Sequence, residues 1–410
     1  MKIAFLTLGC KLNYAETSTY EREFRKAGLE VASPSGEADI YLINTCSVTA
    51  TSDSKSRNLI RKMHRRSPQA RIVVCGCSAE LRKEEISKIE GVWKVFGCKE
   101  KSRIVPDVLE GIGLKESTPT EPEETFGAYS SGERTRSFLK VQDGCDNHCR
   151  YCTVPLARGD SRNIPICECV RMAEEIAALG VKEVVITGVN TGDFGRSTGE
   201  SFLDLLKALD RVEGIERYRI SSIEPNLLSD EIIDWIASGS KIQPHFHIPL
   251  QVGCDEILEA MGRHYTTDFF KHKIDRLREK LGEGVFIGID IMVGLPGETE
   301  ELFEKTYAFL KEIHPAFLHI FPYSRRPGTP AAEMDGQVSE EVKKHRVAVL
   351  EELCAKLHEE FVESQKGKKA LVLFESKEKD GKMGGYSGNY VRVSREYDPS
   401  LVGKIVEVTL

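Results

Sequence analysis

The stretch Gly144-Cys-Asp-Asn-His-Cys-Arg-Tyr-Cys152 is the most informative segment of the chain. Its C-x₃-C-x₂-C spacing places three thiols in one loop after a short apolar run: Cys145, Cys149 and Cys152. Thiolates are the usual ligands of iron–sulfur clusters, so this trio can hold three corners of a [4Fe–4S] cube and leave the fourth iron open. A four-cysteine zinc site is the alternative, but it needs a second, regularly spaced pair. The next cysteines, Cys167 and Cys169, are separated by a single residue, so the loop predicts a cluster with an open iron.

Residues 1–114 alternate short apolar runs with amphipathic stretches, which predicts a parallel sheet covered by helices. The predicted strands are Lys2–Leu8, Asp39–Ile43, Arg71–Cys75 and Trp93–Phe96. The predicted helices are Glu16–Ala27 and Asp53–Arg66.

A cysteine follows each of the first three predicted strands, at Cys10, Cys46 and Cys77. Because the carboxyl ends of parallel strands converge on one crevice, we expect these thiols to meet in space and hold a second cluster. Cys75 lies within the third strand, where its side chain is expected to pack, and Cys98 after the fourth strand is a competing ligand. Buried, inert thiols are the alternative to a cluster.

Positions 115–134 are polar and rich in Pro, Ser and Glu, which predicts an exposed, mobile connector. Strands and helices then alternate again, and an amphipathic connecting helix is predicted at 339–364. The strands are predicted at Phe138–Val141, Glu183–Thr187, Arg217–Ser221, His245–Pro249, Phe286–Val293 and Phe317–Phe321. Six β/α units indicate a partial barrel over 135–364, with its chemistry at the carboxyl ends of the strands. The cysteine loop follows the first strand and agrees with that rule.

Residues 365–410 predict a small β-barrel, which makes the whole chain an α/β protein with a parallel N-terminal domain, a partial (β/α)6 barrel and a C-terminal β-barrel. The predicted strands are Ala370–Phe374, Lys382–Tyr386, Asn389–Ser394 and Ile405–Thr409. Basic and aromatic side chains, Tyr390 and Arg392 among them, are typical of small nucleic-acid-binding barrels. A purely structural cap is the alternative.

The formal net charge of −7 conceals local basic faces, which are what attract phosphates. From 54 to 79 there are seven Lys and Arg residues and no acidic one, and Lys55, Arg61 and Arg65 are the candidate RNA contacts. From 366 to 410, nine Lys and Arg face six Asp and Glu. A solvated charged helix is the alternative for the first run. The apolar stretch before Cys10 is too short for an export signal, and no run approaches the ~18 apolar residues of a membrane span, so we expect a cytoplasmic protein.

At the cysteine loop the chain resembles the radical S-adenosylmethionine superfamily. The resemblance implies that the open iron binds the amino and carboxylate groups of S-adenosylmethionine, which an electron then cleaves to methionine and a 5′-deoxyadenosyl radical. It also places Tyr151 along the adenine, with ordinary packing as the alternative. The predicted strand ends supply a pocket similar to that superfamily's cofactor site, formed by Gly188, Asn190, Ser222, Glu224, Gln251 and Asp290.

Across essentially its whole length the chain resembles the methylthiotransferases, whose C-terminal TRAM domain contacts RNA. That family modifies tRNA at position 37, on isopentenyladenosine or threonylcarbamoyladenosine, or modifies an aspartate of a ribosomal protein. The motifs quoted next look most like the threonylcarbamoyladenosine class. They are Leu8-Gly-Cys-Lys-Leu-Asn-Tyr-Ala-Glu-Thr17, Asn44-Thr-Cys-Ser-Val-Thr49, Thr187-Gly-Val-Asn-Thr-Gly-Asp-Phe-Gly195 and Phe321-Pro-Tyr-Ser-Arg-Arg-Pro-Gly-Thr329.

The resemblance implies two [4Fe–4S] clusters with divided labour. The N-terminal one carries the sulfur that becomes methylated, and the barrel cluster with S-adenosylmethionine opens the C2–H position of the adenine. An electron donor is also implied. The rival hypotheses are a ribosomal-protein methylthiotransferase, an iron–sulfur electron carrier or sensor, and a tRNA binder without chemistry. The roles of Arg158, Arg162 and Arg263 (RNA, cofactor or protein contact) stay open at this point.

Overall fold

The computed structural model describes residues 1–114, 126–132 and 135–410. Within residues 1–114, five parallel strands form one sheet in the order β2-β1-β3-β4-β5. These strands are β1 Lys2–Thr7, β2 Glu30–Ala32, β3 Ile40–Thr45, β4 Arg71–Gly76 and β5 Val92–Val95. Every residue of β3 is buried, as expected for a central parallel strand with helices on both faces.

Helices cover both faces of this N-terminal sheet, as predicted. They are α1 Lys11–Lys26, α2 Ala50–Arg66, α3 Cys77–Leu81, α4 Lys83–Ser87 and α5 Ile104–Gly111. The Thr49 side chain accepts a hydrogen bond from the Ser52 amide at 3.1 Å and starts α2 three residues earlier than the sequence suggested. Basic residues in the last turn of α2 complement the helix dipole.

The middle of the chain forms a partial barrel of six main parallel strands among the described residues. Its strands are β7 Arg136–Lys140, β10 Glu183–Thr187, β11 Arg217–Ile220, β12 His245–Gln251, β13 Phe286–Val293 and β14 Phe317–Pro322. They pair in two parallel sets, β7-β10-β11 and β12-β13-β14, which are joined at an isolated bridge between Tyr218 and Ile242. The short strands β6 Ala128–Tyr129, β8 Gln142–Asp143 and β9 Arg162–Asn163 lie beside β7 and the cysteine loop.

Helices surround the barrel strands and bury one extensive apolar core against them. They are α6 Val154–Arg158, α7 Ile166–Ala178, α8 Phe202–Asp210, α9 Asp230–Ala237, α10 Asp255–Ala260, α11 Thr267–Leu281, α12 Glu300–Ile313, α13 Pro330–Glu333 and α14 Glu340–Gln365. The last of these is the predicted connecting helix, which the Ser339 side chain caps by accepting a hydrogen bond from the Val342 amide.

The C-terminal residues form an antiparallel sheet in the order β17-β16-β15-β18. Its strands are β15 Lys369–Lys379, β16 Lys382–Ser387, β17 Arg392–Glu396 and β18 Ile405–Thr409. A bulge between Phe374 and Glu378 interrupts the register of β15 and curls the sheet. The predicted α/β architecture, with a parallel N-terminal sheet, a partial barrel and a small C-terminal β unit, is therefore confirmed.

The structure differs from the sequence prediction at the connector. Most of the predicted mobile segment, 115–125 and 133–134, lies outside the described residues. Residues 126–132 are not an exposed linker, because β6 pairs antiparallel with β7 and Ser130 is buried. The Arg22 guanidinium on α1 donates to the Tyr129 carbonyl at 2.8 Å and lies over the Tyr129 ring. This part of the chain therefore fastens the N-terminal unit to the barrel.

Candidate active site

The three N-terminal cysteines predicted to meet lie at the carboxyl ends of neighbouring strands. Cys10 precedes α1 after β1, Cys46 follows β3, and Cys77 begins α3 after β4. Two glycines allow this close approach. A Cβ on Gly9 would lie 2.7 Å from Cys46 Cβ, and a Cβ on Gly76 would lie 2.4 Å from a backbone carbonyl of β3. Both glycines also have positive φ angles, +101° and +95°, which other residues rarely adopt.

The surroundings of Cys77 favour a thiolate. Arg158 Nε donates to Cys77 Sγ at 3.2 Å, and the Cys98 thiol donates a hydrogen bond to the same sulfur. These bonds, with the charges of Arg158 and Lys101, lower the pKa of Cys77 to about 6. Burial instead raises the pKa of Cys75 well above its usual range. Because a thiolate is the form that binds metal, Cys77 is the better ligand of the two, and Cys98 remains beside it as a second candidate.

A buried ion network lies behind Cys77 and joins the N-terminal unit to the barrel. Glu16 of α1 accepts hydrogen bonds from Lys101 at 2.6 Å and from Lys140 of β7 at 2.8 Å. Asp143 accepts from Lys140 at 2.7 Å and from Arg158 at 2.7 Å. Three buried cations therefore face two buried carboxylates. A thiolate at Cys77, 3.2 Å from Arg158, brings the network to electrical neutrality.

The barrel cysteines border a cavity of about 360 Å³ at the carboxyl ends of the strands. Cys145, Cys149 and Cys152 all line it, as the sequence predicted. Burial raises the pKa of Cys145 to about 11 and that of Cys152 to about 12, so these thiols need a nearby positive charge such as iron to ionise. Arg263 Nη1 supplies one such charge by donating to Cys149 Sγ at 3.1 Å.

The other wall of the same cavity carries the residues predicted to bind a cofactor. Those that line it are Tyr151, Asn190, Ser222, Glu224, Gln251 and Asp290. Gly188 is placed differently, because it packs against Gln142, whose Oε1 accepts from the Val189 and Asn190 amides at 2.9 Å. The two backbone amides that follow Gly188 are therefore occupied by Gln142, and a cofactor contact of Gly188 itself stays a prediction.

Three features show that the cavity is built for a polar ligand. Asn190 is buried, yet neither polar atom of its amide finds a partner among the described residues. Gln251 has a φ of +71° at a β-bulge of β12, a strained conformation for a residue other than glycine. Asp290 Oδ1 lies 2.7 Å from His247 Nε2, which fixes the carboxylate at the cavity wall. These donors and acceptors fit the amino acid and nucleoside groups of S-adenosylmethionine.

Arg263 is the main residue of this site whose role the sequence left open. Besides Cys149, it forms an ion pair with Glu224, and its Nε donates to the Tyr265 hydroxyl at 3.0 Å. The Tyr265 hydroxyl in turn donates to the Pro249 carbonyl at 2.7 Å. Burial raises the pKa of Glu224 even though Arg263 opposes the shift. The Arg263 guanidinium therefore positions a carboxylate and a cluster thiol at once.

The two cysteine trios face a common junction. The cavity is also lined by Val48 and Thr49, which follow Cys46 closely in the chain. Thr153, directly after Cys152, donates from Oγ1 to the Ser47 carbonyl at 3.5 Å. Arg326 of the barrel contacts the Ser47 hydroxyl at 2.9 Å and pairs with a carboxylate at the start of α2. Segments next to both trios are thus in direct contact.

Three cysteines at each of two places are a donor set that suits iron–sulfur clusters. No group of three or more His, Cys, Asp or Glu side chains has the close spacing of a mononuclear site in the part of the chain that the structure describes. Ligands of one ion crowd around it at about 2.0–2.3 Å. The thiolates of a [4Fe–4S] cube bind separate irons and stand farther apart. The thiol groups at both places are the donor type that such a cube binds.

The predicted RNA contacts divide into two groups. Lys55, Arg61 and Arg65 are exposed on α2, and we call these three residues the basic face. Arg392 is exposed on β17. Tyr390 differs from the prediction, because its ring stacks on Tyr386 with centroids 4.7 Å apart and its hydroxyl accepts from Arg136 at 3.1 Å. The hydroxyl and one ring face are used inside the protein, so Tyr390 is no exposed stacking platform.

Comparison with known proteins agrees with this geometry. Residues 139–310 match the Radical SAM superfamily, and residues 2–97 match the family described as Uncharacterized protein family UPF0004. A tryptophan- and aza-SAM-bound structure of the radical S-adenosylmethionine methyltransferase TsrM from Kitasatospora setae shares the fold, with a TM-score of 0.59. The match covers 81% of this chain and 75% of that one at 15% identity. Fold and site together define a radical S-adenosylmethionine enzyme.

Relatives with assigned functions show to which family of radical S-adenosylmethionine enzymes the chain belongs. Threonylcarbamoyladenosine tRNA methylthiotransferase MtaB of Bacillus subtilis (strain 168) is 38% identical over 100% of this chain and 93% of its own length. The protein of the same name from Aquifex aeolicus (strain VF5) is 38% identical over 100% of both chains. A tRNA-2-methylthio-N(6)-dimethylallyladenosine synthase from Dictyoglomus thermophilum is 33% identical over 100% of this chain and 96% of its own. The chain belongs to the radical S-adenosylmethionine methylthiotransferase family.

Among the residues that the structure describes, no helix combines the length and apolar character needed to cross a membrane.

Proposed function

We propose that the protein adds a methylthio group to C2 of N6-threonylcarbamoyladenosine at position 37 of tRNA. One structural observation supports this proposal in addition to the family membership. A single cavity is lined by the barrel cysteine trio and by Val48 and Thr49, which lie two and three positions after Cys46 of the other trio. An enzyme that joins a sulfur group to an unactivated carbon needs both centres to reach one substrate atom. The full-length relatives named for threonylcarbamoyladenosine support the choice of nucleoside.

The proposal divides the chain into units with separate tasks. Residues 1–114 hold one [4Fe–4S] cluster through Cys10, Cys46 and Cys77, and residues 135–364 hold another through the three barrel cysteines. Residues 365–410 serve as a TRAM-like RNA-binding unit. When bound, the barrel cluster and S-adenosylmethionine supply a radical that can break a carbon–hydrogen bond without acidity. An electron donor, as yet unidentified, would serve the reaction, and we expect the cytoplasm as its compartment.

The protein's own residues bind and orient the reactants in this proposal. Asn190, with both amide atoms buried and unpartnered among the described residues, is a hydrogen-bonding group for the cofactor. Glu224, held by Arg263, is suited to a ribose hydroxyl, and Tyr151 borders the same space for the adenine. Apolar side chains from β13 and β14 line much of the remaining wall and limit access of water to a reactive intermediate.

The basic face of α2 supplies phosphate contacts in this proposal. None of its three side chains is paired with a carboxylate in the described part of the chain, so their charges are available. Arg392 on β17 adds an exposed cation on the C-terminal sheet. The anticodon loop is a suitable partner because its bases are already single-stranded, and presenting one costs less than extrusion from a duplex.

Nucleoside mass spectrometry tests the function. The chain is expressed in a host that lacks its own methylthiotransferases, and digested tRNA is analysed for methylthio derivatives of both modified adenosines. We expect 2-methylthio-N6-threonylcarbamoyladenosine with the wild-type protein and with Cys167→Ala, which alters an exposed cysteine outside the cavity. Cys149→Ala should abolish it. Absence of this nucleoside with the wild type, or its persistence in Cys149→Ala, would refute the proposal. A mark on isopentenyladenosine or on a ribosomal aspartate instead would identify the alternative substrate.

A further inference from the structure

A second cavity, of about 340 Å³, lies inside the partial barrel. Its walls come from the start of α1, the strands β7, β10, β11 and β12, and the C-terminal sheet. The charged and aromatic residues that line it are Lys11, Arg136, Phe138, Arg219, His245, Glu375, Tyr386 and Tyr390. Three cations and a single carboxylate line this space, so it is suited to an anion.

Two of these cations are already neutralised. Arg219 Nε donates to Glu183 at 2.8 Å, and its other nitrogens donate to the Gly388 and Ser387 carbonyls at 2.7 and 2.8 Å. Arg136 Nη2 donates to Glu375 at 2.7 Å. These guanidiniums hold the C-terminal sheet against the barrel, and their donors are largely used for that purpose.

Lys11 is the exception. Its side chain is exposed to the cavity, and no carboxylate among the described residues pairs with it. Arg136 and Arg219 line the same cavity, and their positive charges repel the Lys11 ammonium. Lys11 is also the first residue of α1, whose first turn contains no acidic residue. A cation at a helix N-terminus is unfavourable, so the charge of Lys11 does not stabilise this fold on its own.

The position of Lys11 links this cavity to the proposed reaction centre. Lys11 directly follows Cys10, a proposed ligand of the N-terminal cluster. His245 of β12 lines this cavity, and His247, on the same face of that strand, lies 2.7 Å from Asp290, which lines the cavity beside the barrel cysteines. Both cavities therefore border the same face of β12, and a substituent of a nucleoside bound beside the barrel cysteines can extend along that face toward this ammonium.

We propose that Lys11 and the cavity around it bind the carboxylate of the threonylcarbamoyl group on the substrate adenosine. This inference rests on the proposed function and deepens it by assigning the residue that selects the nucleoside. A threonylcarbamoyl group carries a carboxylate, whereas an isopentenyl group is uncharged and apolar. An apolar group in this cavity would cover the Lys11 ammonium without replacing its water, which is costly. A carboxylate would instead form a charge-assisted hydrogen bond with it.

Binding of defined RNA hairpins tests the inference without turnover. Fluorescein-labelled anticodon stem–loops carry N6-threonylcarbamoyladenosine, its carboxylate methyl ester, or isopentenyladenosine. Fluorescence anisotropy with the anaerobically reconstituted full chain, without reductant, gives each Kd. We expect the wild type to bind the free acid about 10- to 100-fold more tightly than the ester, the range for a hydrogen bond to a charged group.

Variants of α1 locate the effect. Lys11→Gln should bind the acid and the ester equally, and Lys11→Arg should restore the preference. Lys26→Gln, at the exposed far end of the same helix, should behave like the wild type. Equal affinity of the wild type for acid and ester would overturn the inference, as would a preference retained by Lys11→Gln. The ester comparison needs no substitution, so it decides the matter even if Lys11→Gln folds poorly.

The outcome is separate from that of the proposed function. If wild-type protein forms the methylthio nucleoside in cells but binds the acid and the ester with equal affinity, the proposed function stands and the Lys11 inference is wrong. If the acid is preferred through Lys11 but no methylthio nucleoside forms, the carboxylate site stands and the proposed chemistry is wrong.

Discussion

The buried ion network between α1 and the barrel offers the sharpest test of how the two units are held together. We expect Glu16→Gln to destabilise the protein strongly. Glu16 has no exposed surface, and Gln keeps its shape while removing the charge that faces Lys101 at 2.6 Å and Lys140 at 2.8 Å. The substitution leaves three buried cations opposite Asp143 alone among the carboxylates of the network.

The expected loss in the free energy of unfolding follows from the pKa of Glu16. Burial alone would raise this pKa, but Lys101, then Lys140 and Arg158, outweigh it and hold the pKa at about 2 instead of 4.5. A pKa shift of one unit corresponds to about 1.4 kcal/mol. The lowered pKa of Glu16 therefore stabilises the folded protein by about 3 kcal/mol at neutral pH. Removing one partner from a buried ion pair costs about 3–5 kcal/mol. We therefore expect Glu16→Gln to lower the free energy of unfolding by about 3 kcal/mol or more.

Urea unfolding under anaerobic conditions measures this loss, with fluorescence of Trp93 in the N-terminal sheet and Trp235 in α9 as probes. Glu21→Gln is the matched control, because Glu21 lies on the same helix and pairs with Arg25 at 2.8 Å on the surface. The control should change stability by less than about 0.5 kcal/mol. The Glu16 contribution is present above its unfolded-state pKa of 4.5 and is lost as pH falls toward about 2. A loss for Glu16→Gln no larger than that of the control would refute the reasoning.

Three further predictions concern the clusters, the cofactor cavity and RNA. Cys77→Ser should lower the iron content of reconstituted protein from about eight to about four per chain, whereas Cys75→Ser should keep about eight; equal iron in both would argue against Cys77 as ligand. Asn190→Leu should weaken S-adenosylmethionine binding in calorimetry by about tenfold without lowering the melting temperature, since its amide satisfies no described protein group; unchanged affinity would contradict the assignment. Replacement of the three basic-face residues by glutamine should weaken the salt dependence of tRNA binding. The slope of the logarithm of the binding constant against the logarithm of the salt concentration should fall in magnitude by about 2–3, and an unchanged slope would exclude these side chains as phosphate contacts.

Much of the architecture could be predicted because local pattern and tertiary structure agree. Glu183–Thr187, Phe286–Val293 and Ile405–Thr409 were predicted with their observed bounds. The start of α1 was missed because Cys10 offers no side-chain cap, and Lys11 is a poor signal for a helix beginning. The three-residue strand β2 is too short to show an alternation.

The site was predictable where one geometric rule covers several residues. Cysteines that end neighbouring parallel strands must meet, and the observed strand order agrees with this rule. The partners of arginines were not predictable. Arg158 and Arg263 reach sulfur atoms 81 and 114 positions away in the chain, and nothing in their local sequence indicates this. The contact of Gly188 with Gln142 was not predictable either, because Gln142 comes from another strand, β8.

The attachment of the C-terminal sheet has a consequence for how substrates are measured. Buried Arg217 and Arg219 on β11 donate to the Leu371, Ser387 and Gly388 carbonyls of that sheet at 2.7–2.8 Å. With these anchors in place, we expect the C-terminal sheet to move with the barrel as one body rather than swing on a hinge. If this sheet binds RNA as proposed, the distance from its outer surface to the cysteine loops would be constant, and we expect the reach of the bound RNA loop to determine which nucleotide enters the site.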